Sequence, residues 1–199
     1  MQTVFAIAGS LRRDSYNRSL LRAAARELAP PGMAIVLDDQ LASIPPFDED
    51  LERAAAGGPE PVRALRGQVA SADGVLIATP EYNHSFPGVL KNAIDWLSRP
   101  APQEVLAGKP VAVVGASGGP WGTRLAQSAL RQVLYATESA VLPKPALFVK
   151  DAGRLFDVAG RLVDRATRER LEALLAAFAS WIDVLSTSGT GGISRASRS

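Results

Sequence analysis

The chain has no cysteine in its 199 residues. Thiolate nucleophiles, iron–sulfur clusters, zinc fingers and disulfide scaffolds are therefore excluded. It has one histidine, His84, so a single chain cannot assemble a multi-histidine metal site, and no metal centre is expected. Long apolar runs are also missing, since no stretch approaches the roughly 18 residues that span a bilayer. Near the N-terminus the apolar run 4–8 is short and its arginines come after it, the reverse of a secretory leader. Charge of one sign is equally scarce. Lys and Arg number 22 against 20 Asp and Glu, and residues 186–199 hold two arginines and no acid, so the body of the chain is neutral. A neutral body without a basic run interleaved with aromatics is not built to release counterions from nucleic acid. These absences describe a soluble, cytoplasmic protein with a thin catalytic toolkit and neither a membrane span nor a nucleic-acid partner.

What is present is a regular alternation. A chain of this length forms one domain and can bury about 70% of its unfolded surface without staples. Continuous apolar runs at 3–9 (TVFAIAG), 33–37, 74–79 (GVLIAT) and 110–116 (PVAVVGA) read as strands buried on both faces, with a weaker fifth at 146–150. Between them, apolar residues at three- and four-residue spacing mark helices at 17–28, 61–72, 87–97, 122–137 and 167–185. A proline-containing loop, 44–48, follows the second strand. Strand alternating with helix means βαβ units and hence an α/β fold, a doubly wound five-stranded parallel sheet with helices on both faces. The domain is expected to span 1–185. The Ser/Gly/Arg-rich stretch 186–199 cannot bury enough apolar surface to order itself and reads as a flexible tail.

In an open parallel sheet, ligands sit beyond the carboxyl ends of strands, and three loops leaving such ends have unusual composition. The first, 9–19, offers hydroxyls at Ser10, Ser15 and Ser19, the amide of Asn17, the guanidinium of Arg12, and the N–H groups that open the next helix. A helix N-terminus of that kind suits an anion. Neither GxxxxGK[ST] nor GxGxxG is present, so a terminal phosphate monoester fits better than a triphosphate or a dinucleotide pyrophosphate. Ser15 or Asn17 could equally serve only to cap the helix. The second loop, 79–88, holds Glu81, Tyr82, Asn83, His84 and Phe86 between Pro80 and Pro87. The prolines stiffen it and leave its remaining N–H and C=O groups to face a planar heterocycle, or it is simply a rigid turn anchored by Tyr82 and Phe86. The third, 115–122, carries Ser117, Gly118 and Gly119, which let backbone approach a ligand closely; the plainer reading is an ordinary turn with Trp121 covering the core edge. His84 reads as a loop-surface residue or a subunit contact. Asp38/Asp39 and the acids at 48–50 read as solvated loop charges.

Taken together, the three loops resemble the NADPH-dependent FMN reductases, flavodoxin-like quinone, chromate and azo reductases. Ser10-Leu11-Arg12 with Ser15 and Asn17 resembles that family's GSxRxxSxN phosphate loop. Residues 80–96, PEYNHSFPGVLKNAIDW, resemble its PEYNxSxPGxLKNAIDW signature, and 115–119, GASGG, its glycine loop beside the flavin. The resemblance covers about residues 3–185. It implies a flavodoxin-like sheet of order 2-1-3-4-5 and non-covalent FMN, with phosphate at Ser10, Arg12, Ser15 and Asn17. Pro80, Glu81, Tyr82 and Asn83 would address the polar edge of the ring, and Ser117, Gly118 and Gly119 would lie beside it. It further implies NADPH or NADH as hydride donor and a quinone, flavin, azo dye or chromate as acceptor. No catalytic side chain is needed, because the flavin carries the hydride. A homodimer is implied, with a tetramer left open and 91–96 at or near the interface. Two other functions stand beside this one: a flavodoxin-type electron carrier, against which the neutral body speaks, and a phosphate- or nucleotide-binding regulatory module.

Overall fold

The computed structural model describes residues 1–54, 57–99 and 104–189. Its strands are β1 (Gln2–Ala8), β2 (Met33–Leu37), β3 (Gly74–Ala78), β4 (Pro110–Ala116), β5 (Ala140–Val141) and β6 (Leu147–Val149). Its helices are α1 (Tyr16–Ala23), α2 (Glu49–Ala54), α3 (Glu60–Ser71), α4 (Gly88–Leu97), α5 (Arg124–Ala136) and α6 (Arg165–Gly189). Every strand pairing is parallel, in the order β2-β1-β3-β4-β5, with β6 also on β4.

The fifth strand expected over 146–150 is present as β6, and a further short strand that was not expected, β5, precedes it. Ala140 and Val141 pair with Pro110 and Val111 near one end of β4, while Leu147–Val149 pair with Val114–Ala116 at the other. Pro143 and Pro145 lie in the gap, and neither has an N–H for the ladder. Two other elements depart from expectation. The helix expected over 17–28 runs from Tyr16 to Ala23 and then widens into a π turn, Ala24–Leu28. The last helix continues past 185 to Gly189, its final turns carrying Ser186 and Thr187, whose hydroxyls donate to the carbonyls of Ile182 and Asp183. Four residues of the expected tail are therefore helical; the rest, 190–199, lie outside the described residues. The short α2 follows the proline loop, with the Asp48 carboxylate accepting from Asp50 N–H.

The two-residue period of the strands sorts the core into two layers. Val4, Ala6 and Ala8 of β1 join Leu76, Ala78, Ala112 and Val114 under α1 and α6. Phe5 and Ile7 join Val75, Ile77, Val111 and Val113 under α3, α4 and α5. The first layer is lined largely by alanine, which lets α1 and α6 approach the sheet closely. At the carboxyl end of β4 the approach becomes closer still. A Cβ on Gly115 would lie within 3.0 Å of Thr123 and of the Thr79 carbonyl, so glycine alone fits where β3, β4 and α5 converge.

Candidate functional site

The register puts Ala8 of β1 opposite Ala78 of β3, and Ala78 opposite Val114 of β4. The three loops therefore leave the sheet at nearly the same height. They enclose an open cleft of about 280 Å³ lined by Ser10, Arg12, Ser15, Asn17, Pro80, Glu81, Tyr82, Ser117 and Gly118, which sequence reasoning singled out, and by Tyr16 and Ala116, which it did not. Asn83 and Gly119 stand just outside that lining.

At the α1 end the cleft is a donor set. Ser10 is buried, and its hydroxyl has no partner among the described residues. Ser15 caps α1, accepting from Arg18 N–H at a long 3.4 Å, and its own O–H remains available to a ligand. The N–H groups of Tyr16 and Asn17 open the helix and have no acceptor within it. Arg12 rests with Nη2 on the Asp14 carbonyl at 2.8 Å and its guanidinium carbon 5.5 Å from the Tyr16 ring centroid. Tyr16 is stacked in turn on Phe156, centroids 5.6 Å apart. Sequence reasoning missed Tyr16 because its partner lies 140 residues away in a loop that carries no motif.

The side chain of Asn17 is committed elsewhere. Its Nδ2 donates to the Ala116 carbonyl at 2.9 Å and its Oδ1 accepts from Ala116 N–H at 2.8 Å, both buried. The amide acts as one further rung beyond the end of the sheet, locking the start of α1 to the end of β4. What Asn17 presents to the cleft is its backbone N–H.

Glu81 is likewise a brace. Its Oε2 accepts from the backbone N–H of Leu125 and Ala126 at 2.9 and 3.0 Å, so a carboxylate from the second loop serves the N-terminus of α5. Thr123, the residue in capping position, makes no cap bond of its own. The negative charge also suits the positive end of the helix dipole. Glu81→Ala should therefore lower stability by about 1–2 kcal/mol, read as a lower urea midpoint. Glu81→Gln keeps an acceptor oxygen and should recover much of that loss.

The second loop folds as a tight hairpin. Tyr82 and Ser85 exchange both backbone hydrogen bonds, at 2.8 and 3.0 Å, around Asn83 (φ 49°) and His84 (φ 64°). Two successive positive φ values define a type I′ turn, in which asparagine is at home. Asn83 is an exposed corner of that turn, and His84 stands beside it with Nδ1 4.0 Å from Glu81 Oε1. Further along the signature, Asn92 and Trp96 turn inward while Lys91 and Asp95 pair at the surface. Asn92 accepts from Phe47 N–H and donates to the Pro45 carbonyl, and Trp96, buried edge-on to Phe47, donates to the same carbonyl. Much of the 91–96 segment thus clamps the proline loop in place.

The third loop forms a wall of backbone. Ser117 N–H donates to Val149, Ala152 N–H to Ser117, and Gly119 N–H to Ser117 Oγ at 3.1 Å. A Cβ on Gly118 would meet nothing within 4 Å. Trp121 is 76% exposed, so it does not cover the core edge.

The donor set and the wall meet the needs of FMN. Hydroxyls, a guanidinium and free helix N–H groups converge at one end, as a phosphate monoester requires. A thin glycine wall and a stiff proline-bounded loop face each other at the other, as a flat ring requires. The Glu81 carboxylate, the one acid in the lining, is turned to α5 rather than toward the phosphate end.

Comparison with known proteins agrees with this geometry. The profile of the NADPH-dependent FMN reductase family matches residues 2–153. The chain is 46% identical to an NAD(P)H-dependent FMN reductase of Pseudomonas aeruginosa over 179 residues, 90% of this chain and 94% of that one. It is 42% identical to a 2-hydroxy-1,4-benzoquinone reductase of a Burkholderia species over 176 residues, covering 88% and 93%. Its structure is similar to that of FerB, a flavoenzyme NAD(P)H:(acceptor) oxidoreductase of Paracoccus denitrificans, with a TM-score of 0.81 at 34% identity, over 92% of this chain and 98% of that one. On the profile, the relatives and the flavodoxin-like sheet, the chain belongs to the NADPH-dependent FMN reductase family and is an FMN-dependent oxidoreductase.

Proposed function

We propose that the cleft between the three loops is the FMN site and that the chain uses it to pass two electrons from NADPH or NADH to a quinone, or to another small oxidant such as a flavin, azo dye or chromate. The observation that carries this reading is one cleft with phosphate-type donors at the α1 end and a glycine wall at the other. Ser10, Ser15 and Arg12, with the N–H groups opening α1, hold the phosphate. Asn17 keeps those N–H groups in register with the end of β4, and Glu81 fixes the second loop against α5. Backbone groups of residues 80–83 address the polar edge of the ring, while Ser117, Gly118 and Gly119 border it closely.

Bound there, FMN supplies two-electron chemistry, taking a hydride from the nicotinamide and returning the pair to the acceptor. A quinone gains two electrons and two protons on becoming the hydroquinone, one proton delivered with the hydride and one from solvent. No side chain in the lining is required as acid or base, which accords with a cleft whose one carboxylate serves as a helix cap. The quinone assignment is supported by the relatives' names, and the open cleft admits a planar acceptor after the nicotinamide leaves.

A homodimer in the cytoplasm completes the reading. Tyr82 stands exposed beside the cleft, and Leu125 and Tyr135 along α5, apolar surface of the kind that a subunit contact covers. Among the described residues no helix is long and apolar enough to cross a membrane. Light scattering on the purified protein should give twice the chain mass.

The test of activity is spectroscopic. NADPH added anaerobically to the FMN-loaded protein should bleach the flavin, and a quinone should restore its colour. An electron carrier would not oxidise NADPH without a partner protein, and a regulatory module would not retain FMN.

A further inference from the structure

The first loop is braced by a segment far along the chain. Residues 151–163, which follow β6, supply none of the cleft lining, yet they are tied to both of its ends. Asp151 N–H donates to the Gly119 carbonyl at 3.2 Å and Ala152 N–H to the Ser117 carbonyl at 3.0 Å, so the segment starts on the glycine wall. After a 3₁₀ turn (Ala152–Arg154) it folds into a small hairpin. Phe156 faces Leu162 across it, and Val163 N–H donates to the Leu155 carbonyl and Asp157 N–H to that of Arg161. The Asp157 carboxylate closes the turn, accepting from the N–H groups of Ala159 and Arg161 and from Arg161 Nε at 2.7 Å.

The hairpin is pressed on the start of α1. A Cβ on Gly160 would come within 3.1 Å of Ser19 Oγ, and one on Gly153 within 3.2 Å of the Tyr16 hydroxyl. Phe156 lies on the Tyr16 ring with 22° between the planes, and the same ring carries the Arg12 guanidinium. Arg12 is exposed and makes no ion pair among the described residues, where its hydrogen-bond partner is the Asp14 carbonyl. Its place at the mouth of the cleft therefore depends on the ring beside it. The plane of that ring depends in turn on Phe156, because a stacked pair resists the rotation that a lone tyrosine would make.

We propose that Phe156 is a positioning residue for FMN, backing Tyr16 so that the Arg12 guanidinium stands ready at the phosphate end. The proposal rests on the reading of the cleft as the FMN site. Phe156 lines no part of that cleft, so its effect passes through Tyr16 and Arg12. A guanidinium already held in place loses less freedom on binding, and the gain falls on the phosphate rather than on the ring.

The test titrates apoprotein with FMN and with riboflavin, which lacks the phosphate. Phe156→Leu keeps apolar bulk and removes the flat ring. Phe156 is half-buried and borders an open cavity of about 350 Å³ with Tyr16, Ser19 and Gly160, so the smaller side chain leaves no sealed void. The variant's FMN affinity should fall about three- to tenfold while its riboflavin affinity holds within about twofold. Phe156→Tyr, which keeps the stack, should restore the FMN value. With Arg12→Ala already in place, Phe156→Leu should cost no further FMN affinity. Coupling is reciprocal, so in the wild type FMN should slow amide exchange at Asp157 and Val163 about threefold or more beyond the effect of riboflavin.

Full FMN affinity in Phe156→Leu would overturn the proposal, as would equal losses for FMN and riboflavin, which mark a support of the fold alone. So would a loss that persists in the Arg12→Ala background, since the route would then bypass Arg12. Should Phe156→Leu fail to fold, the exchange measurement on the wild type decides, and equal protection by FMN and riboflavin overturns the proposal. A wild type that binds no FMN, or binds it no better than riboflavin, is a different result. It would overturn the reading of the cleft or of its phosphate end, and this proposal with it.

Discussion

Replacing Arg12 and Ser15 together by alanine should weaken FMN binding by about 10²–10⁴-fold while leaving the sheet intact. Each side chain is expected to donate to a phosphate oxygen, and a hydrogen bond to a charged group contributes about 1.5–3 kcal/mol. The exposed guanidinium now rests on the Asp14 carbonyl and over the half-buried Tyr16, so its removal opens no hole in the core. Ser15 also caps α1, and its loss costs about 1 kcal/mol of stability on its own. Riboflavin separates the two effects, because it has the ring and lacks the phosphate. Wild-type protein should strongly prefer FMN to riboflavin, and the double variant should bind the two almost equally. A double variant that keeps the preference would remove the first loop from the phosphate site.

Asn17→Ala should be the most destabilising single change in the site, at about 2–4 kcal/mol. The substitution strips both partners from Ala116, whose N–H and C=O are buried and would be left unmet. Asn17→Asp should not rescue it, since a carboxylate can accept from the Ala116 N–H but faces the Ala116 carbonyl with a second acceptor. Urea unfolding without FMN reads the loss directly. FMN affinity should fall as well, because the N–H groups of Tyr16 and Asn17 would no longer be fixed against the end of β4. Unchanged stability would mean that the α1–β4 lock contributes nothing.

Asn17 also shows where the sequence stops being informative. Its residue type suits a phosphate donor, a helix cap and a strand-end brace equally, and only the packing of α1 on β4 selects the third. Glu81 is a similar case, since its position in the second loop is legible while its pairing with α5 depends on tertiary approach. By contrast β1, β3 and β4 were plain, because continuous apolar runs bounded by glycine or turn residues leave few other readings. The strand at 146–150 was legible, whereas the two-residue β5 was not, because its pairing with β4 is long-range and leaves no local pattern. The six residues of α2 are too few to show a helical period. The positive-φ turn at Asn83 and His84 was not read from the sequence, although asparagine suits that conformation.

The central claim is that the cleft bounded by Ser10, Pro80 and Gly118 holds FMN, and Gly118 tests it most directly. A Cβ there meets nothing within 4 Å, and the backbone needs no glycine, so Gly118→Val should leave the unfolding free energy within the roughly 0.5 kcal/mol of a neutral surface change. Its methyl groups would stand in the space that the ring must enter. Titration of FMN into apoprotein, followed by quenching of flavin fluorescence, should show one FMN bound per wild-type chain and an affinity at least about tenfold weaker in Gly118→Val. A variant that folds as well as the wild type and binds FMN as tightly would contradict the placement, and a wild-type chain that takes up no FMN would contradict the account as a whole.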